Sequence, residues 1–117
     1  MIGRGQDANP RDGDRVHASV TIANGRVADA RFSGNACDVA LAAGDALREL
    51  VVGATPDEAA GIPVGRLLRA MHGVRAEDEG CVMTAIGALR SALADAALRS
   101  EDRAADDTRP RAAGGPP

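Results

Sequence analysis

The chain contains no Lys, Trp or Tyr, one Phe at position 32, and two cysteines, Cys37 and Cys81, in 117 residues. Each shortage excludes something. Without lysine or stacking rings, and with a net charge of -3, it offers neither the basic patch nor the aromatic platform of a nucleic-acid binder, so no nucleic-acid partner is expected. No uninterrupted apolar run approaches the roughly 20 residues that cross a bilayer, and residues 1–11 are polar where a signal peptide would be apolar, so no membrane partner is expected and the location predicted is cytoplasmic. In that reducing compartment two cysteines read as free thiols or ligands, not as a disulfide. All 14 basic residues are Arg and Ala is abundant, a composition that reads as the imprint of a GC-rich genome and carries no functional weight. No nucleophile, base and orienting group stand together at recognisable spacing, so hydrolytic or transfer catalysis has no support.

One domain is expected at this length. Residues 1–12 read as a flexible N-terminal segment and residues 13–99 as the folded domain. Residues 100–117 read as a disordered tail, because from Arg103 to Pro117 the sequence has no large apolar residue and closes on Ala-Ala-Gly-Gly-Pro-Pro, too little to offset the entropy of ordering.

Inside the domain, Val16, Ala18, Val20 and Ile22 alternate with His17, Ser19 and Thr21, the pattern of a half-buried strand. Asn24-Gly25 marks a hairpin and Arg26 to Phe32 the returning strand. A two-residue turn in simple register would set Val20 opposite Asp29. A three-residue loop of Ala23, Asn24 and Gly25, with Gly25 at positive φ, pairs Val20 with Ala28, Ala18 with Ala30 and Val16 with Phe32, so the odd loop is predicted. A helix follows from about Asp38 to Val52, with Val39, Ala43, Leu47, Leu50 and Val51 inward and Gly53 as its stop. Thr55-Pro56-Asp57-Glu58 carries an N-cap, a first-position Pro and a capping-box Glu, the start of a short helix. Further helices are read over about Pro63–His72, with Leu67, Leu68 and Met71 inward, and about Gly80–Arg99, with Val82, Ile86, Leu89 and Leu93 inward. The class is α+β: a small antiparallel sheet, a hairpin with the option of a third strand, packed on one face by helices.

The chemistry concentrates in four residues. Cys37 and Cys81 each open a helix, where the helix dipole favours the thiolate that binds metals. Asp12 and Asp14 sit beside a turn just ahead of the first strand of the hairpin. The hairpin returns the chain towards its start, so all four are expected to meet at one end of the sheet and converge on one metal. Asp-Gly is a turn signal in its own right, and free cysteines are often small buried hydrophobes, so a structural role for each is the competing reading. His17, on the polar strand face, and His72, at a helix end, read as exposed. Glu77-Asp78-Glu79 reads as negative charge placed at a helix N-terminus.

These stretches resemble the iron-sulfur cluster scaffold family of IscU, SufU and the N-terminal domain of NifU. That family carries Asn-Pro-x-Cys-Gly-Asp, then a strand pair ending in Phe-x-Gly-x-x-Cys, then a third Cys. The matching stretches here are Asn9-Pro10-Arg11-Asp12-Gly13-Asp14, Phe32-Ser33-Gly34-Asn35-Ala36-Cys37, and Cys81. The similarity spans about Asn9 to Arg99 and implies the IscU-like fold. It implies that Asp14, Cys37 and Cys81 are ligands of a transient 2Fe-2S cluster or of a zinc ion, with Asp12 standing where the family has its first Cys. Carboxylates suit iron-sulfur clusters poorly, so a cluster held this way is expected to be labile, whereas a Cys2Asp2 set suits tetrahedral zinc.

By the same resemblance the chain is a non-enzymatic scaffold, partnered by a cysteine desulfurase and by iron-sulfur acceptor proteins. The alternative is a degenerate member, zinc-binding or metal-free, acting as a regulatory or sulfur-accepting partner of that machinery; a third reading is a small interaction module without metal chemistry. The IscU branch has a His before its third Cys and a Leu-Pro-Pro-Val-Lys segment, where this chain has Gly80 and Gly73-Val74-Arg75-Ala76-Glu77. The resemblance therefore stops short of implying docking to an Hsp70-type chaperone. It also lacks the longer segment that the SufU branch carries between its second and third Cys.

Overall fold

A computed structural model of the chain describes residues 1–11 and 13–108, with side chains described as far as Ser100. Three antiparallel strands, β1 (Ile2–Asn9), β2 (Asp14–Ala23) and β3 (Arg26–Ser33), lie in the order β1-β2-β3. Four helices follow: α1 (Asp38–Val51), α2 (Pro56–Ala60), α3 (Val64–Ala70) and α4 (Glu79–Thr108), with a 3-10 turn at Ala76–Asp78 ahead of the last. Val16, Ala18 and Val20 of β2, Ala40, Ala43 and Leu47 of α1, and Val82, Ile86, Leu89 and Leu93 of α4 form one buried core. The opposite face of the sheet stays open. The α+β class and the one-sided packing are as the sequence implies.

Most of the expected flexible segment at residues 1–12 is instead a strand, Ile2–Asn9. Its signal is hidden because the face that meets the helices carries Gly3 and Gly5 where an amphipathic strand would carry Val or Ile. A Cβ at Gly3 would collide with the Ala92 carbonyl and the Ala96 side chain, and one at Gly5 with the backbone at Ser91 and Ala92. Glycine removes that bulk and lets the backbone of β1 lie directly on α4, while its ladder to β2 satisfies its amides from Ile2 opposite Thr21 to Asn9 opposite Asp14.

The hairpin loop also differs from expectation. Asn24 and Gly25 both take positive φ, 55° and 75°, a two-residue turn whose twist matches that of the strands. The extra residue sits in β3: Ile22 pairs with Val27 but Thr21 pairs with Asp29, so Ala28 is bulged out. Beyond the bulge Val20 faces Ala30 and Ala18 faces Phe32. The conflict of parity is real, and a bulge resolves it where a longer loop was expected. Phe32, the lone aromatic, lies in the notch left by Gly44 on α1, where a Cβ would come within 2.7 Å of the ring's Cγ.

Both outer edges of the sheet are engaged. On β1 the Arg4 N–H donates to Asp95 Oδ2 at 2.8 Å and the Ala8 N–H to Asp7 Oδ1 at 2.9 Å. On β3 the Val27 N–H donates to the Ala54 carbonyl and the Gly53 N–H to the Val27 carbonyl, both at 2.8 Å. The capping box at Thr55 forms as read, with Thr55 Oγ1 accepting from the Glu58 N–H and Glu58 Oε1 accepting from the Thr55 N–H. Arg90 of α4 reaches the Ala60 and Ile62 carbonyls, both at 3.2 Å, and so holds the end of α2.

Helix α4 runs to Thr108, past the Arg99 limit read from the sequence, so the expected tail at residues 100–117 begins as helix. Its sequence from Ser100 to Thr108 contains no Gly or Pro to stop it. Residues 109–117, the rest of the expected tail, lie outside the described residues. The stretch Ala76–Ser100 is long and apolar enough by composition to cross a membrane, yet 56 % of its most apolar window is buried inside the fold, and Arg90 and Asp95 interrupt it.

Candidate metal centre

Asp14 is the first residue of β2 and faces Asn9 across the turn from β1. Asn9 organises this corner: its carbonyl accepts the Gly13 N–H at 2.8 Å and its side-chain Oδ1 accepts the Arg11 N–H at 3.2 Å. Its amide also lies against Gly80, where a Cβ would come within 3.2 Å of Nδ2. The turn that carries Asp14 is thereby held against the first turn of α4, where Cys81 sits.

Cys37 arrives from the other side. After β3 the chain passes through Gly34 at φ 134°, and the Arg15 N–H donates to the Asn35 carbonyl at 2.9 Å. A Cβ at Gly34 would strike the Arg15 carbonyl. Only glycine allows this backbone conformation together with so close an approach, and it carries Cys37 next to Asp14. Cys37 is then the N-cap of α1, with extended backbone angles and no capping hydrogen bond from its side chain. Its sulfur is left to face the cluster instead of its own helix.

The result is one constellation. A carboxylate oxygen of Asp14 and the sulfurs of Cys37 and Cys81 all lie within 4.8 Å of one another, with Asp14 and Cys37 half-buried and Cys81 buried. The Cys81 Sγ–H donates to Asp14 Oδ2 at 3.5 Å. Of the four residues singled out in the sequence, three are together; Asp12 lies outside the described residues.

The electrostatics of Cys81 run opposite to the sequence expectation of a dipole-favoured thiolate. Its thiol is pushed up to about 12 by burial first, then by its hydrogen bond to and the charge of Cys37, and then by those of Asp14. Burial and the crowding of a second thiol and a carboxyl in one small space oppose ionisation of Cys81, and the helix end is too weak to reverse this. A cation held by these residues would invert the balance, since a coordinating thiol gives up its proton. The donor set fits zinc: with Zn–S of about 2.3 Å and Zn–O of about 2.0 Å, tetrahedral angles place S and O about 3.5 Å apart, the separation of Cys81 Sγ and Asp14 Oδ2 here, 3.5 Å.

His17 and His72 are exposed, as read. In the acidic run, Glu77 and Asp78 pair with Arg75 at 3.1 and 3.3 Å while Glu79 opens α4, which agrees with a charge-capping role. A groove of about 430 Å³ opens between the start of α1 and the segment preceding α4, lined by Asp38, Val39, Met71, Val74, Arg75 and Asp78. The positioning roles of Asn9, Gly34 and Gly80 were not read from the sequence. Asn9-Pro10 signals a side-chain-capped turn, but nothing local shows that Gly80 is the residue on which that turn rests.

Comparison with known proteins gives a consistent result. The family model for the NifU-like N terminal domain matches residues 2–102. A crystal structure of a hypothetical protein superimposes with a TM-score of 0.64 at 21 % identity, covering 80 % of this chain and 82 % of that one. The crystal structure of FiSufU from thermophilic Fervidobacterium islandicum AW-1, assigned as an iron-sulfur cluster assembly scaffold protein for the SUF system, superimposes with a TM-score of 0.61 at 19 % identity, covering 78 % of this chain and 79 % of that one. No curated protein sequence matches the chain.

Proposed function

Because the chain belongs to the NifU-like N terminal domain family, we propose that it is a non-enzymatic scaffold on which an iron-sulfur cluster is assembled and from which it passes to acceptor proteins. The observation that carries this reading is the convergence of Asp14, Cys37 and Cys81 to within 4.8 Å. The cluster, a transient 2Fe-2S unit, is the cargo. Cys37 and Cys81 supply thiolates to iron, and Asp14 supplies a hard oxygen ligand that iron-sulfur chemistry holds weakly, which favours release. A cysteine desulfurase is the sulfur donor proposed, and the cytoplasm the location. With Asp12 in place of a third thiol, any sulfur received must be carried by Cys37 or Cys81.

A second reading rests on the donor chemistry at the site, since a carboxylate beside two thiolates suits tetrahedral zinc better than it suits an iron-sulfur cluster. In that reading the chain binds zinc and acts as a regulatory or sulfur-accepting partner of the same machinery. Anaerobic reconstitution with ferrous iron and sulfide separates the two. Visible absorbance that disappears in Cys37→Ala supports the scaffold; a colourless product, with zinc bound in freshly purified protein, supports the second reading. Asp12→Cys then tests the substituted position, since a longer cluster lifetime places it among the ligands and an unchanged lifetime removes it.

A further inference from the structure

The thiol site uses one end of the sheet and the helices use one face. The other face is open and carries its own chemistry. The register aligns Arg4, Ser19 and Arg31 in one row across the three strands, and Gln6, His17 and Ser33 in the next. A hollow of about 280 Å³ lies over these rows, lined by Arg4, His17, Ser19, Arg31 and Ser33 among others. Arg15 continues the face along β2. In a chain of net charge -3, this surface is cationic.

Its cations are also available. Among the described residues the guanidiniums of Arg4 and Arg15 have no hydrogen bond or ion pair within 4.0 Å; Arg4 acts on Asp95 of α4 only through the longer-range field that helps lower that carboxyl's pKa. Asp29 is the one described acidic residue in register with this face, and Arg48 already takes its Oδ1 at 2.8 Å while Arg31 Nε takes Oδ2 at 2.9 Å. The terminal nitrogens of Arg31 are left for another acceptor.

We propose that this open sheet face is a docking surface for an acidic segment of a partner protein. Strands about 4.8 Å apart set Arg4 and Arg31 about 10 Å from each other across Ser19, a span that flexible arginines close onto carboxylates about 7 Å apart on one side of an extended chain. The Ser19 hydroxyl lies between them and the His17 imidazole in the neighbouring row, and both add donors. A nucleic acid is the poorer occupant, since the face has no aromatic ring on which a base would stack. A lipid surface is poorer too, because among the described residues Ile2 at one corner is the one large apolar side chain exposed on it. The inference stands apart from the metal reading, as none of its residues is a thiol or a candidate ligand.

The probe is a short oligoglutamate peptide titrated into the full-length isotope-labelled protein at low ionic strength, followed by amide NMR shifts. Shifts centred on Arg4, His17, Ser19 and Arg31, weakening with added salt, are expected. The double substitution Arg4→Ser, Arg31→Ser is expected to weaken binding about tenfold, whereas Arg66→Ser, Arg69→Ser on exposed α3 positions leaves it unchanged. Equal losses in both double variants, shifts centred elsewhere, or tighter binding of a single-stranded oligonucleotide or of anionic lipid vesicles would overturn the proposal. Retention of the wild-type far-ultraviolet dichroism by both variants keeps the comparison clean, and the peptide shifts on the unmutated protein decide the matter if either variant unfolds.

Discussion

The sulfur of Cys81 rests 3.5 Å from Asp14 Oδ2 although 67 positions of sequence separate them. Burial first, then Cys37, and then that contact raise the Cys81 thiol from an ordinary 9.0 to about 12.

The first expectation concerns pH. At neutral pH a thiol raised that far carries on the order of a thousandfold less thiolate than an ordinary cysteine, so iodoacetamide is expected to leave Cys81 unmodified in metal-free protein until the chain unfolds. Asp14→Asn removes one of the causes and is expected to speed the reaction. The raised thiol also couples to stability. Below the ordinary value both states hold the proton and the contribution is intact. As pH climbs from 9.0 towards about 12, the unfolded chain gives up the proton first, so the native state loses ground. Urea midpoints of metal-free protein are expected to fall across that window and to fall less in Asp14→Asn.

A second expectation concerns the path of the chain into Cys37. Gly34→Ala must accommodate a side chain at φ 134° with a Cβ in the Arg15 carbonyl, a strain of about 1–3 kcal/mol. Because the displaced segment is the one that delivers Cys37, zinc affinity measured with a chromophoric chelator is expected to fall along with the urea midpoint.

The contact between β1 and α4 gives a third. Gly5→Ala drives a methyl into the backbone at Ser91 and Ala92, and overpacking of this kind costs about 1–3 kcal/mol. Since β1 leads directly into the Asn9 turn, hydrogen exchange is expected to quicken from Gly3 to Asn9 before it quickens in α1.

Thr55→Ala supplies the contrast. Loss of the capping box is expected to cost about 1 kcal/mol, measured by urea unfolding. Thr55 heads α2, outside the constellation of Asp14, Cys37 and Cys81, so zinc affinity is expected to be unchanged.

What was legible in the sequence follows from where periodicity survives. Val16, Ala18 and Val20 alternate because they are buried on one face only, and Val82, Ile86, Leu89 and Leu93 recur at helical spacing for the same reason. Strand β1 was not legible, because its inner positions are Gly3, Gly5 and Asp7, none of which leaves a hydrophobic trace. The bulge at Ala28 satisfies the same parity constraint that pointed to a longer loop, and alternation alone does not say where an extra residue goes. For the candidate site, residue types and order were enough to name Asp14, Cys37 and Cys81. They were not enough to set the charge state of Cys81, which depends on the mutual approach of groups far apart in the chain.

The seals at Arg4, Ala8 and Val27 have a consequence for handling the protein. A foreign strand seeking to add itself to either margin meets Asp95 and Asp7 on one side and the Gly53-Ala54 segment on the other. Concentrated stocks are therefore expected to resist fibril growth and strand exchange, and association that does occur should run through side chains on the faces, where salt can disperse it.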